Sequence, residues 1–232
     1  MRPAVVEKPA WALLHVKAPE LAKTRLAGVL DPGQRRALQQ AMLEDVLDSL
    51  LCSRLIEGIA VISPDRGIGE LAYRLGVQFI QEAALGSDLN SALEAGTSHL
   101  IRQGAGVVAI VPGDLPLLDP RDVDRAVNTA RGEKAVVVIP DGLGKGTNGL
   151  VFPAGVQPEF RFGRDSFRRH LSASNLEPVI PLELASMALD IDLPEDIDRL
   201  LASRSRRARR TRAFLMSHVV PASPEVREAL HG

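Results

Sequence analysis

The stretch GDLPLL places Asp114 at the end of an aliphatic run, Val107-Val108-Ala109-Ile110-Val111. A carboxylate in that setting is costly unless a cation or hydrogen-bond donors compensate for its lost water. A second acidic stretch, ALDIDLPED, alternates so that Leu189 and Ile191 take one face of an extended segment and Asp190 and Asp192 the other. Adjacent carboxylates repel, and a hard divalent cation removes that repulsion through oxygen ligands. Asp114, Asp190 and Asp192, at the ends of two strands, therefore suit Mg2+ shared with phosphates. The alternatives are a turn role for Asp114 after Pro112-Gly113 and an N-cap role for Asp192 ahead of Pro194.

Phosphates also call for cations and backbone donors. The segment HVKAPELAKTRLAGVL supplies Lys17, Lys23 and Arg25, well placed for a triphosphate if they are not simply solvated. Neither GxxxxGK[ST] nor GxGxxG occurs, so basic side chains must replace the usual glycine loops. A third patch, GLGKGTNGL over 142–150, offers Lys145, Thr147 and Asn148 among glycines that permit close backbone approach. The fourth, RFGRDSFRRH over 161–170, sets Gly163 before a helix opened by Asp165 or Ser166, whose free N–H groups could hold an anion. Arg161, Arg164, Arg168 and Arg169 make that end positive. Either patch alone reads as an ordinary loop, but with the acidic site they describe a pocket for two phosphorylated ligands. His15, His99 and His170 are scattered and read as structural, and no Ser-His-Asp arrangement is evident.

These residues need a scaffold that gathers strand ends. Short β-branched runs at 12–16, 58–63, 77–80, 107–111 and 135–139 alternate with helical patterns, predicting βαβ units and a mostly parallel sheet. The first helix starts at Asp31 as N-cap and Pro32 at N1, with Leu38, Met42, Val46 and Leu50 on its buried stripe. Further helices are predicted over about 87–100 and 120–130. Gly and Pro over 140–158 predict irregular backbone over a site. A strand at 188–192 leads into a helix at Pro194.

The 232 residues allow one α/β domain, with 45% hydrophobic and 25% charged residues. Only 3% are aromatic, so aliphatic side chains must build the core. The net charge of -1 gives no reason to expect a polyanion partner. The single cysteine, Cys52, excludes an internal disulfide and a cysteine-cluster metal site, and it reads as a small buried hydrophobe. No apolar stretch approaches the ~20 residues that span a bilayer. The N-terminus lacks a continuous signal-peptide core, so a cytoplasmic protein is expected. The run SRSRRARRTR over 203–212 reads as a solvated helix face or frayed tail, which makes a nucleic-acid role the less favoured reading. The expected division is one α/β domain over 1–202 and an Arg-rich C-terminal extension over 203–232.

Taken in order, AKTRL, AMLEDVL, SPD, GDLPLL, GTN, the FG-x-x-SF-x-RH segment and LDIDLPED resemble the CofC/FbiD guanylyltransferases of coenzyme F420 biosynthesis. The resemblance runs from about Leu13 to Leu201. It implies a nucleotidyltransferase fold of the glycosyltransferase-A type, Rossmann-like, with a mostly parallel sheet flanked by helices. It implies transfer of GMP from GTP to 2-phospho-L-lactate, phosphoenolpyruvate or 3-phospho-D-glycerate, with release of pyrophosphate. By the same resemblance, Asp114, Asp190 and Asp192 would hold Mg2+. Lys17, Lys23 and Arg25 would face the GTP phosphates, with Asp114, Lys23 and Arg25 carrying catalysis. Asn90 would lie near the nucleotide, and Thr147, Gly163 and Ser166 would bind the acceptor acid.

The chain departs from the family pattern at Asp88-Leu89-Asn90, at Arg164-Asp165 and at Leu193. The charged pair between Gly163 and Ser166 suits an acceptor with a free hydroxyl, so 3-phospho-D-glycerate is expected to serve at least as well as the other two acids; the alternative is that both side chains point to solvent and phosphoenolpyruvate or 2-phospho-L-lactate is preferred. A downstream transferase would consume the labile product, and a homodimer is allowed. The alternatives are a transferase of the same fold using CTP, UTP or a molybdopterin acceptor, or a nucleic-acid binder using the 204–212 arginines.

Overall fold

The aliphatic runs at 107–111 and 135–139 become strands because they are buried on both faces. In the computed structural model, residues 8–82, 88–156, 158–173 and 178–219 are described. The strands are β1 (Ala10–His15), β2 (Ile56–Ser63), β3 (Gln78–Gln81), β4 (Val107–Ile110), β5 (Val136–Pro140), β6 (Thr147–Pro153) and β7 (Val179–Pro181). They form one sheet in the order β3-β2-β1-β4-β6-β5-β7. All pairings are parallel except those of β6, which runs antiparallel to both β4 and β5.

The helices are α1 (Pro32–Leu51), α2 (Arg66–Arg74), α3 (Leu89–Arg102), α4 (Pro120–Glu133), α5 (Ser166–Leu171), α6 (Pro194–Ala202) and α7 (Arg209–His218). Period-2 alternation divides β1 between two cores. Ala10, Ala12 and Leu14 face α1, α2 and α4, whereas Leu13 faces α3. A third cluster joins Leu38 and Met42 of α1 to Leu26, Ile191, Leu200 of α6 and Leu215 of α7. Asp31 caps α1 by accepting from the Gln34 amide at 2.8 Å, with the Gln34 side chain reaching back to the Asp31 amide. Asp88 caps α3 through the amides of Asn90 and Ser91. The predicted start of that helix at Ser87 lies outside the described residues.

Three expectations need correction. The 140–158 region is not irregular throughout, because β6 occupies Thr147–Pro153 between β4 and β5 and is buried up to Phe152. Residues 188–192 form no strand. They cross the carboxyl edge of the sheet, where Ile191 donates to the Asp114 carbonyl at 3.3 Å and Gly142 donates to that of Ala188 at 2.7 Å. The alternation of faces survives, with Leu189 and Ile191 buried. Cys52 is exposed, because it follows Leu50 by two residues and falls off the buried stripe of α1.

The arginine-rich run is held by the rest of the chain. Arg207 pairs with Asp119 at 3.1 Å, and Arg212 donates to the Leu201 and Ser203 carbonyls. Arg210 pairs with Glu44 at 2.9 Å and also meets Asp48. The buried Asp45 of α1 accepts from the backbone amides of Arg210 and Thr211, and from the Thr211 hydroxyl at 2.7 Å. Thus α1 caps α7 from a neighbouring helix.

Candidate active site

After β1 the chain fills one flank of the sheet with β2 and β3, then moves to the other flank with β4. Open α/β sheets bind ligands at the carboxyl ends of strands where the order switches in this way. A cavity of about 400 Å3 lies there, between the segment after β1 and the segment after β4. Lys17, Lys23, Arg25, Asp114 and Asp192 all line it.

Lys23 stands at the centre. Its backbone is left-handed at φ 53° between two 3-10 turns, Pro19–Leu21 and Thr24–Leu26, and this turns its side chain inward. Its ammonium donates to Asp114 Oδ2 at 2.6 Å and to Asp192 Oδ1 at 2.8 Å, and the side chain is only 6% exposed. Burial works against the charge, but the two carboxylates outweigh it and hold the lysine pKa above its ordinary value. Burial likewise pushes Asp192 up, while Lys23, Arg25 and Lys17 pull it below the ordinary carboxylate range. Asp190 is raised, by burial first and then by the Asp114 charge. It accepts from the Asn148 amide at 3.3 Å.

Asp192 therefore does not cap α6. That role falls to Asp196, which accepts from the amides of Asp192 and Leu193. Arg25 stays largely in solvent, 3.8 Å from Asp192, and Lys17 is exposed at the rim. Among the described residues, no three His, Cys, Asp or Glu side chains converge as a ready cage for a metal ion. The Lys23 ammonium holds the space between two of the three carboxylates.

Thr147, Gly163 and Ser166 are not among the residues that line this cavity, whereas Phe162, next to Gly163 in the chain, is. Thr147 and Ser166 are buried, and Gly163 takes φ +119°, which side chains disfavour. The Thr147 hydroxyl lies 2.9 Å from His170 Nδ1, and the His170 ring meets Phe162 edge-on at 4.9 Å. The Phe167 amide donates to the Lys145 carbonyl, which fastens α5 to the loop before β6. Asn90 spends its amide on the Phe162 backbone, accepting from its N–H at 2.8 Å and donating to its carbonyl at 3.4 Å. It is therefore a strut between α3 and the Gly163 loop. Arg164 and Asp165 are 96% and 61% exposed, so the ground for a hydroxyl-bearing acceptor falls away.

Sequence reasoning missed Gln39. It lines the cavity from α1, is 7% exposed and donates through Nε2 to the Lys17 carbonyl at 3.0 Å. Its Oε1 is buried with no partner among the described residues. A glutamine beside the Leu38–Met42 stripe was the available signal. His15 was read as structural, and its ring meets Glu82 at 3.1 Å at the cavity wall.

Comparison with known proteins identifies the family. A family described as "Guanylyl transferase CofC like" matches residues 10–229. A protein named phosphoenolpyruvate guanylyltransferase from Conexibacter woesei is 38% identical over 214 residues, covering 88% of this chain and 94% of its own. One named 2-phospho-L-lactate guanylyltransferase from Methanothermobacter thermautotrophicus is 33% identical, with 82% and 83% covered. A crystal structure from Desulfovibrio desulfuricans G20, assigned to the nucleotide-diphospho-sugar transferases, superposes with a TM-score of 0.72 at 21% identity, covering 92% of this chain and 95% of that one. The 4-diphosphocytidyl-2C-methyl-D-erythritol synthase of Anaerococcus prevotii gives 0.58 at 14% identity, with 83% and 94% covered. These two likenesses concern the fold alone, whereas the family match and the identities to the guanylyltransferases place the chain in the CofC-like guanylyl transferase family.

Proposed function

We propose that this protein transfers GMP from GTP to a small phosphorylated three-carbon acid, phosphoenolpyruvate foremost, and releases pyrophosphate, as a step of coenzyme F420 biosynthesis. The observation that carries the reading is the buried ammonium of Lys23 held between Asp114 and Asp192 in the cavity at the switch point. The names of the relatives support guanylyl transfer to phosphoenolpyruvate or 2-phospho-L-lactate. The solvent-facing Arg164 and Asp165 leave no basis for preferring a longer hydroxy acid.

In the mechanism, a phosphate oxygen of the acceptor attacks the α-phosphorus of GTP, and the bond from that phosphorus to the bridging oxygen of pyrophosphate breaks. The attacking oxygen is already anionic near neutral pH, so no general base is required. Lys23, Arg25 and Lys17 would neutralise the triphosphate, and preorganised charge of this kind is the main source of rate in phosphoryl chemistry. Thr147, Gly163 and Ser166 would seat the acceptor.

By donor chemistry the set suits magnesium, since Asp114, Asp190 and Asp192 present only hard oxygens, with the Lys23 ammonium standing between two of them; Asp190 is raised by burial first and then by the Asp114 charge. These three would hold Mg2+, whose contribution there is to neutralise phosphate charge. A cytoplasmic setting with a second transferase that takes up the labile product belongs to the same reading. No helix among the described residues is long and apolar enough to cross a membrane.

The test is pyrophosphate release with each nucleoside triphosphate against each of the three acids, coupled to the next transferase. GTP with phosphoenolpyruvate should give the highest kcat/KM. Turnover with CTP or UTP alone would overturn the guanylyl assignment. Asp114→Asn should lower kcat by about two orders of magnitude or more while the melting temperature stays near that of the parent.

A further inference from the structure

His170 is buried at 3% exposure, and both ring nitrogens are engaged. Nε2 lies 2.9 Å from the backbone nitrogen of Arg161, and a peptide N–H can only donate. Nε2 must therefore be the bare, accepting nitrogen. A neutral imidazole with a bare Nε2 carries its proton on Nδ1. That nitrogen faces the Thr147 hydroxyl at 2.9 Å, so the threonine oxygen accepts there. The neutral state is independently favoured, since burial, Arg169 and Arg161 lower the His170 pKa to about 4.

A hydroxyl has one hydrogen and two lone pairs. With its oxygen already accepting from His170, the Thr147 hydrogen is left to donate elsewhere. No other partner of that hydroxyl occurs among the described residues. Phosphate and carboxylate oxygens only accept, so they are matched to such a donor. We propose that His170 is a positioning residue that makes the Thr147 hydroxyl an obligate hydrogen-bond donor to the phosphorylated acid. This rests on the reading of Thr147 as part of the acceptor site. The Arg161 peptide is the reference that sets the histidine tautomer, and the tautomer sets the threonine.

The experiment combines steady-state kinetics of the full chain with a mutant cycle. His170→Gln can still accept from the Arg161 amide but places no donor at Thr147. It should raise the KM for phosphoenolpyruvate about tenfold, the worth of one hydrogen bond to a charged group, and leave the KM for GTP within about twofold. His170→Asn sets an amide nitrogen where Nδ1 stood and should restore most of the loss. Thr147→Val should raise the acceptor KM as well, and the His170→Gln/Thr147→Val double variant should be no worse than Thr147→Val alone.

Multiplying effects in the double variant, or an unchanged acceptor KM in His170→Gln, would overturn the inference while leaving the acceptor reading intact. A folded Thr147→Val with unaltered acceptor KM would overturn the acceptor reading itself, and this inference with it. If His170→Gln folds poorly, nitrogen NMR of the ring-labelled full chain decides. A protonated Nδ1 with bare Nε2 supports the proposal, and the opposite tautomer overturns it.

Discussion

Replacing Asp45 by alanine should destabilise the protein by about 2–4 kcal/mol, a large part of the ~5–15 kcal/mol that holds a typical native protein together. Asp45 is 6% exposed on α1, yet it serves the first turn of α7. It accepts from the Arg210 amide at 3.1 Å, the Thr211 amide at 2.9 Å and the Thr211 hydroxyl at 2.7 Å. Loss of a helix cap costs about 1 kcal/mol. Stranding the fully buried Thr211 hydroxyl and its amide adds about 1–3 kcal/mol. The Arg210 pairing adds little, because its guanidinium is 43% exposed and 3.8 Å from Asp45.

Urea unfolding followed by circular dichroism measures the loss. Asp45→Asn, which keeps one acceptor oxygen and the volume, should cost half as much or less. Limited trypsin digestion should then cut the arginine-rich segment of Asp45→Ala before the core. A change below about 0.5 kcal/mol, with the tail still protected, would refute the argument that α1 caps α7.

Three other outcomes follow from the same geometry. His170 has a folded pKa of about 4 against an ordinary 6.5, through burial and the facing Arg169 and Arg161. The unfolded chain therefore takes up the proton first as pH falls. Stability should be intact above about pH 6.5 and drop by at most roughly 3 kcal/mol towards pH 4; equal acid sensitivity in His170→Asn would count against it. At Gly96 a Cβ would stand 2.3 Å from Ile62 Cδ1 and 3.0 Å from Leu13 Cδ2. Gly96→Ala should lower the melting temperature, because an overpacking cost of about 1–3 kcal/mol exceeds the ~1 kcal/mol gain in helix propensity. Asn90→Ala should cost about 1–2 kcal/mol by releasing the Phe162 backbone, read as a lower urea midpoint, and an unchanged midpoint would deny the strut.

The strands that could be read from sequence are those whose apolar runs are local and uninterrupted, as at Val107–Ile110. β6 was missed because its identity depends on partners. Thr147-Asn148-Gly149 looks like a turn until β4 and β5 bracket it. The same limit explains the site. Asp114 and Asp192 stood out because charge beside aliphatic residues demands a reason. Their common partner could not be read, since it depends on the left-handed backbone of Lys23. The His170–Thr147 contact was hidden for a similar reason. Its meaning lies in which nitrogen carries the proton, and a peptide nine residues earlier decides that.

Lys23 and Asp192 are 169 residues apart in the chain. At a synthesis rate of about 5–20 residues per second, the lysine leaves the peptidyl centre roughly 8–34 s before its second carboxylate is made. For that interval the nascent polypeptide carries half of its anion-binding apparatus and none of the counterweight from residues 190–192. The second ion pair that holds the Lys23 ammonium is therefore completed only after every strand of the sheet, β1 to β7, has been made.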